Sequence, residues 1–141
     1  MKNTILFLCS KNTCRSAFTE VIAKEIFGDK YHIESAGIEV NIPLEPMNKY
    51  AQYYLCGHFN CNTKHKSKKV TNSMLNNAKY IFIMEKKMKK KINEQYHDKL
   101  YLLCDKDIKD PYNKKNKELA YQTMSTDIIK CLVNIYYKLK L

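Results

Sequence analysis

Two short runs of the chain carry side chains of the kinds that do covalent chemistry. The first is Cys9-Ser10-Lys11-Asn12-Thr13-Cys14-Arg15-Ser16. It follows an apolar run and precedes a helical pattern. A tight turn there directs successive backbone N–H groups inward, and the helix N-terminus adds positive potential, so the loop can cradle an oxyanion. A thiol at the start of such a loop feels that field, which favours the anionic, nucleophilic sulfur. Arg15, opening the helix, can close the ring with two parallel hydrogen bonds. Ser16 can donate its hydroxyl to the sulfur when it must leave. The second run is Asp110-Pro111-Tyr112, in a polar loop late in the chain. A carboxyl held over the pocket can protonate a departing group, and Pro111 stiffens its loop by fixing φ.

Composition singles out one of these residues. Twenty-five basic and 14 acidic residues give a formal charge of +11, and Arg15 is the only arginine among the basic ones. With asparagine also abundant, most of the lysine surplus reads as codon bias. Such drift converts arginine to lysine readily, so a surviving arginine calls for a reason. A planar, bidentate fork on an oxyanion is the task lysine performs poorly.

Four apolar runs alternate with helical patterns and must position these residues: Ile5 to Cys9, Tyr31 to Ala36, Tyr80 to Met84 and Leu100 to Cys104. Between the first two, Phe18, Val21, Ile22 and Ile26 recur at helical spacing over Arg15 to Phe27, with Gly28 as a stop. Met47 to Leu55, Thr71 to Ala78 (with Thr71 as N-cap) and a Lys-rich Glu85 to Asn93 are further helix candidates. A long closing helix runs from Asn116 to Leu139, with Ala120, Met124, Ile128, Leu132, Ile135 and Leu139 on one face. The alternation predicts an α/β fold: a single domain over residues 1–141, with a four-stranded parallel twisted sheet, helices on both faces, and the phosphate-binding loop between first strand and first helix. Ligands of such sheets bind beyond the carboxyl ends of the strands. Cys9, Ser35 to Gly37, Glu85 and Asp105 to Asp110 all fall there.

Cys-x5-Arg-Ser/Thr between strand and helix is the signature loop of cysteine-dependent phosphatases. Nearly end to end, the chain resembles the low-molecular-weight protein-tyrosine phosphatase family. Its loop, Cys-x-Gly-Asn-x-Cys-Arg-Ser, is matched from Cys9 to Ser16. Its Ser-Ala-Gly is matched by Ser35-Ala36-Gly37, its His with a basic run and Thr by His65 to Thr71, and its Asp-Pro-aromatic by Asp110-Pro111-Tyr112. The resemblance implies Cys9 as nucleophile and Asp110 as general acid. It implies a phosphate cradle of Arg15 and the loop amides from Ser10, Lys11, Asn12, Thr13 and Cys14, with Ser16 assisting the thiolate and Tyr112 beside the substrate. Asn12, Ser35 and His65 are implied to support the loop. It also implies a phosphorylated protein substrate and neither metal nor cofactor. The chain departs from the pattern in Lys11 for Gly, Ala17 for Pro, and the lack of an aromatic residue close after Ser35. The acidic residue common after strand three is Glu85.

Other readings remain in view. Thr13, where tyrosine-type members often carry Ile, points to a protein-arginine phosphatase. Thioredoxin-coupled arsenate reductases share the loop but need two further cysteines near the end of strand three, where Met84 is followed by Glu85 and lysines. A loop spoiled by Lys11 would leave a module that binds phosphate without turning it over. Cys56, His58, Cys61 and His65 can be read as a loose zinc knuckle. Cys14 is either a partner for oxidised Cys9 or a small buried side chain. The Lys runs at Lys66 to Lys69 and Lys86 to Lys91 lack arginine and interleaved aromatics, which argues against nucleic acid. No apolar run approaches the roughly 20 residues of a membrane span, and no export signal is evident. The expected form is a cytoplasmic monomer with its six cysteines mostly reduced.

Overall fold

Ile5, Leu6, Phe7 and Leu8 show no exposed surface at all. Successive strand side chains point to opposite faces, so an unbroken buried run requires a sheet covered on both. The computed structural model describes residues 3–58 and 64–139, and shows that arrangement. The chain runs β1 (Asn3–Cys9), α1 (Arg15–Phe27), β2 (Tyr31–Gly37), α2 (Lys49–His58), α3 (Asn72–Asn77), β3 (Ala78–Ile83), β4 (Leu100–Leu102) and α4 (Lys117–Lys138). Short 3-10 turns interrupt the connections. The strands pair in the order β2-β1-β3-β4, all parallel. β1 is therefore central, and the loop that leaves its carboxyl end starts from a rigid base.

Helix boundaries follow local chemistry. α1 ends at Gly28, whose φ of 60° suits a residue without a Cβ and whose N–H bonds to the Lys24 carbonyl. α3 opens where the Thr71 hydroxyl oxygen accepts from the Met74 N–H at 3.2 Å. α4 is capped by Asn116 accepting from Leu119 N–H at 3.1 Å. α2 begins at Lys49, not at Met47 as the pattern predicts. The reason is Asn48, whose side-chain oxygen accepts from the N–H groups of Tyr50 (2.8 Å) and Ala51 (3.3 Å). α4 packs against α1 and α2, burying Tyr121, Met124, Ile128, Leu132 and Ile135.

Three expectations change. The segment after Glu85 forms a 3-10 helix, Lys86–Lys91, in place of an α-helix reaching Asn93. Only Met88 is buried within it, so there is no apolar face to anchor, and lysines four apart repel. β4 stops at Leu102. The Leu103 N–H still bonds to the Ile83 carbonyl at 2.9 Å, but the chain then turns away. Two residues beyond Leu102, Cys104 is joined by a disulfide to Cys131 on α4, with 5.5 Å between their Cα atoms. The expectation of reduced thiols fails for this pair, because β4's end and one turn of α4 lie side by side. Cys9 and Cys14 are free thiols.

At Gly37 the backbone at the end of β2 lies close against the β1 loop. A Cβ there would lie 2.7 Å from the Ser10 carbonyl oxygen and 2.5 Å from a Val40 methyl. The methyl can move, but the carbonyl belongs to the loop. Gly37→Ala is expected to destabilise the fold by about 1–3 kcal/mol, read as a lowered midpoint in urea denaturation with unchanged slope.

Candidate active site

The β1 loop folds around Asn12. Its φ of 60° makes it one of two described non-glycine residues in the left-handed region, a conformation asparagine tolerates better than most. Its buried side chain and backbone then serve four partners. Nδ2 donates to Ser16 Oγ at 2.8 Å and to Ser35 Oγ at 2.9 Å. Oδ1 accepts from the Lys68 N–H at 3.1 Å, and the Asn12 carbonyl accepts from His65 Nε2 at 2.6 Å. Ser35 in turn donates to Glu20 Oε1 at 2.6 Å. Lys11 escapes the left-handed position and points to solvent. A residue with a Cβ therefore fits where glycine is the family pattern, because the backbone strain falls one residue later.

The network ends on sulfur. With Asn12 donating to its oxygen, the Ser16 hydroxyl keeps its proton free for Cys9 Sγ, 2.9 Å away, ahead of the Ala36 carbonyl at 3.4 Å. The Ser16 backbone N–H also donates to Cys9 Sγ, at 3.4 Å. The N-cap residue of α1, Cys14, makes no side-chain cap hydrogen bond, so the cap leaves the opening amides unsatisfied. Cys9 is 2% exposed.

Arg15 is 3% exposed and fully engaged on one edge. Nη1 donates to Glu85 Oε1 at 2.5 Å and to the Ile108 carbonyl at 2.8 Å. Nη2 lies 4.0 Å from Asp110 Oδ2. The guanidinium is thus fixed by Glu85 after β3 and by the Ile108 carbonyl, with its other edge towards Asp110. Asp110 is half-exposed, and its Oδ1 accepts from the Tyr112 N–H at 3.0 Å, capping the turn Pro111–Asn113.

These residues meet at a cavity of about 530 Å³. Cys9, Lys11, Thr13, Cys14, Arg15, Asp110 and Tyr112 line it, together with a wall from Glu45 to Lys49 and Gln52. Ser10, Asn12 and Ser16 are not in the lining. Asn12 and Ser16 are fully buried, and the Ser10 carbonyl accepts from Glu39 N–H at 2.8 Å. Ser35 and His65 act on the loop through Asn12.

The two loop thiols are not equivalent. Burial pushes the Cys14 thiol far above the usual range, reinforced by the negative charges of Cys9 and Asp110. Cys14 stays protonated, its Sγ 3.6 Å from Met124 Sδ, whereas Cys9 Sγ faces the Ser16 hydroxyl and N–H. Of the zinc reading, Cys61 and the side chains of Cys56 and His58 lie outside the described residues, and His65 is engaged with Asn12.

Sequence reasoning missed Glu20, the cavity wall of Glu45 to Lys49 and Gln52, and the Ile108 carbonyl. Glu20 lies on α1 five residues after Arg15 and carries no motif. The wall is recognisable only once Asn48 N–H is seen bonded to the Thr13 carbonyl at 2.6 Å.

Comparison with known proteins gives four findings. The family described as low molecular weight phosphotyrosine protein phosphatase matches residues 4–140. A low molecular weight protein tyrosine phosphatase from Streptococcus pyogenes superposes with a TM-score of 0.85 at 27% identity, covering 99% of this chain and 93% of that one. The YwlE arginine phosphatase from Geobacillus stearothermophilus shares the fold, with a TM-score of 0.88 at 22% identity over 98% of this chain and 93% of that one. An arsenate reductase from Bacillus cereus is 52% identical over 40 residues, 28% of this chain and 30% of the reductase's length.

Proposed function

The chain belongs to the low molecular weight phosphotyrosine protein phosphatase family, and on that premise we propose that it hydrolyses phosphotyrosine on proteins through a phosphocysteine. The observation that carries this reading is the convergence on one cavity of Cys9, Arg15 and Asp110, with Ser16 already placed on the sulfur.

The Cys9 thiolate attacks phosphorus in line. The S–P bond forms as the P–O bond to the tyrosine oxygen breaks, and Asp110 gives its proton to that oxygen. The negative charge on the equatorial oxygens is met by the Arg15 fork and the loop amides. Asp110, now a carboxylate, takes a proton from water as the water attacks phosphorus. The S–P bond breaks, and the sulfur leaves as a thiolate steadied by the Ser16 hydroxyl. Phosphate departs and Asp110 is again protonated. Asn12, Ser35 and His65 keep the loop in shape, and no metal or cofactor takes part.

Asp110→Asn is expected to lower turnover of a phosphotyrosyl peptide by about 10²–10⁴-fold while binding persists. In the first step, read as single-turnover release of the leaving group, the loss should be smaller on p-nitrophenyl phosphate, whose leaving group departs without a proton. Equal loss of that step on both substrates, or none, refutes the acid assignment.

A second reading is favoured by Thr13, which lines the cavity and whose hydroxyl suits a polar guanidinium. A competitive assay with phosphotyrosyl and phosphoarginyl peptides decides between them. The lysine surplus is read as a solvated surface. No helix among the described residues is long and apolar enough to cross a membrane. We read the protein as a cytoplasmic monomer without nucleic acid or membrane partners.

A further inference from the structure

α2 turns a second chemistry outward beside the cavity. Lys49 and Tyr53 stand one helical turn apart, as do Tyr50 and Tyr54, so the four share one side of the helix. Ala51 and Leu55, on the other side, have no exposed surface. With Glu118 from the first turn of α4, the four line a cleft of about 460 Å³. Lys49 lines this cleft and the Cys9 cavity alike, so a chain whose phosphorylated residue sits over Cys9 can continue directly into it.

The floor is braced. Tyr50 packs on the fully buried Tyr121, ring centroids 5.1 Å apart. Tyr53 and Tyr54 meet edge-on at 5.6 Å, and the Tyr54 hydroxyl donates to the Glu118 carbonyl at 2.7 Å. Two ammonium groups sit over the same ring: Lys49 Nζ is 5.4 Å and Lys117 Nζ 5.9 Å from the Tyr50 centroid. Tyr53 is nonetheless 72% exposed. Ring faces held ready in this way accept another aromatic side chain. The cations outnumber the single carboxylate of Glu118 and favour acidic neighbours.

We infer that this cleft is a docking subsite for residues flanking the phosphorylated side chain of the substrate, and that it selects a segment in which an aromatic residue adjoins acidic ones. The inference rests on the phosphotyrosyl-protein reading above and names the sequence class that reading would prefer.

The test compares two phosphotyrosyl peptides of equal length, one carrying Phe and Glu close to the phosphotyrosine on both sides, the other Ala and Ser. Each rate is normalised to the same protein's rate on p-nitrophenyl phosphate. The wild-type chain is expected to favour the acidic-aromatic peptide in kcat/KM by about tenfold. In Tyr53→Ala that preference should collapse towards unity, and added salt should reduce it in the wild type. Because the readout is a ratio, it survives any general loss of activity. Equal kcat/KM for the two peptides, or an undiminished preference in Tyr53→Ala, overturns the docking subsite and leaves the phosphatase reading standing. Hydrolysis of p-nitrophenyl phosphate without turnover of either peptide overturns the phosphotyrosyl-protein reading, and the subsite with it.

Discussion

Cys9→Ser is expected to bring hydrolysis of p-nitrophenyl phosphate down to the uncatalysed background. A serine hydroxyl has nothing in the loop to take its proton: the groups around position 9 are donors, namely the Ser16 hydroxyl at 2.9 Å and the Ser16 N–H at 3.4 Å. They steady an anion, and a thiol becomes an anion at neutral pH far more readily than an alcohol. The cradle itself remains, so inorganic phosphate should still raise the thermal midpoint of the variant. This pair of measurements separates a catalyst from a mere phosphate-binding module. If the variant retains turnover, another group is the nucleophile and the phosphocysteine route fails. Cys14 offers no substitute, since its burial keeps it protonated.

Arg15→Lys should be nearly as severe, a loss on the order of 10³–10⁵-fold in kcat, the range over which an arginine meeting a transferring phosphoryl group acts elsewhere. Positive charge is kept, so the partly buried Glu85 retains a cation. What goes is the planar fork that reaches Glu85, the Ile108 carbonyl and the cavity at once. A lysine can satisfy one or two of these. Thermal melting measured beside kcat checks that the variant is folded. A kcat within tenfold of wild type would remove Arg15 from the transition state.

Much of this site could be read from residue order because its central members sit where local rules act alone. β1 is a run of apolar residues buried on both sides, α1 has its periodic face and Gly28 as a stop, and the residues between them are the loop. Arg15 was conspicuous by composition. Legibility failed where two distant segments decide the outcome. Nothing near Glu20 announces that it will receive the Ser35 hydroxyl, because only the pairing of β1 with β2 brings Ser35 beside α1. The Cys104–Cys131 disulfide spans 27 residues, and its partners become neighbours only when α4 packs against the rest of the fold. Lys11 misleads for a related reason: the motif flags the substitution, but only backbone angles reveal that the demanding position is Asn12.

The order in which the site's members occur in the chain has a consequence for its birth on the ribosome. Cys9 is synthesised before the residues that shape its loop, since the Asn12 hub draws on Ser35, His65 and Lys68. The Arg15 fork waits for Glu85 and Ile108. A nascent chain therefore carries the Cys9 thiol before it carries the partners that shape its loop, and the set facing the cavity is complete only when translation has passed Asp110.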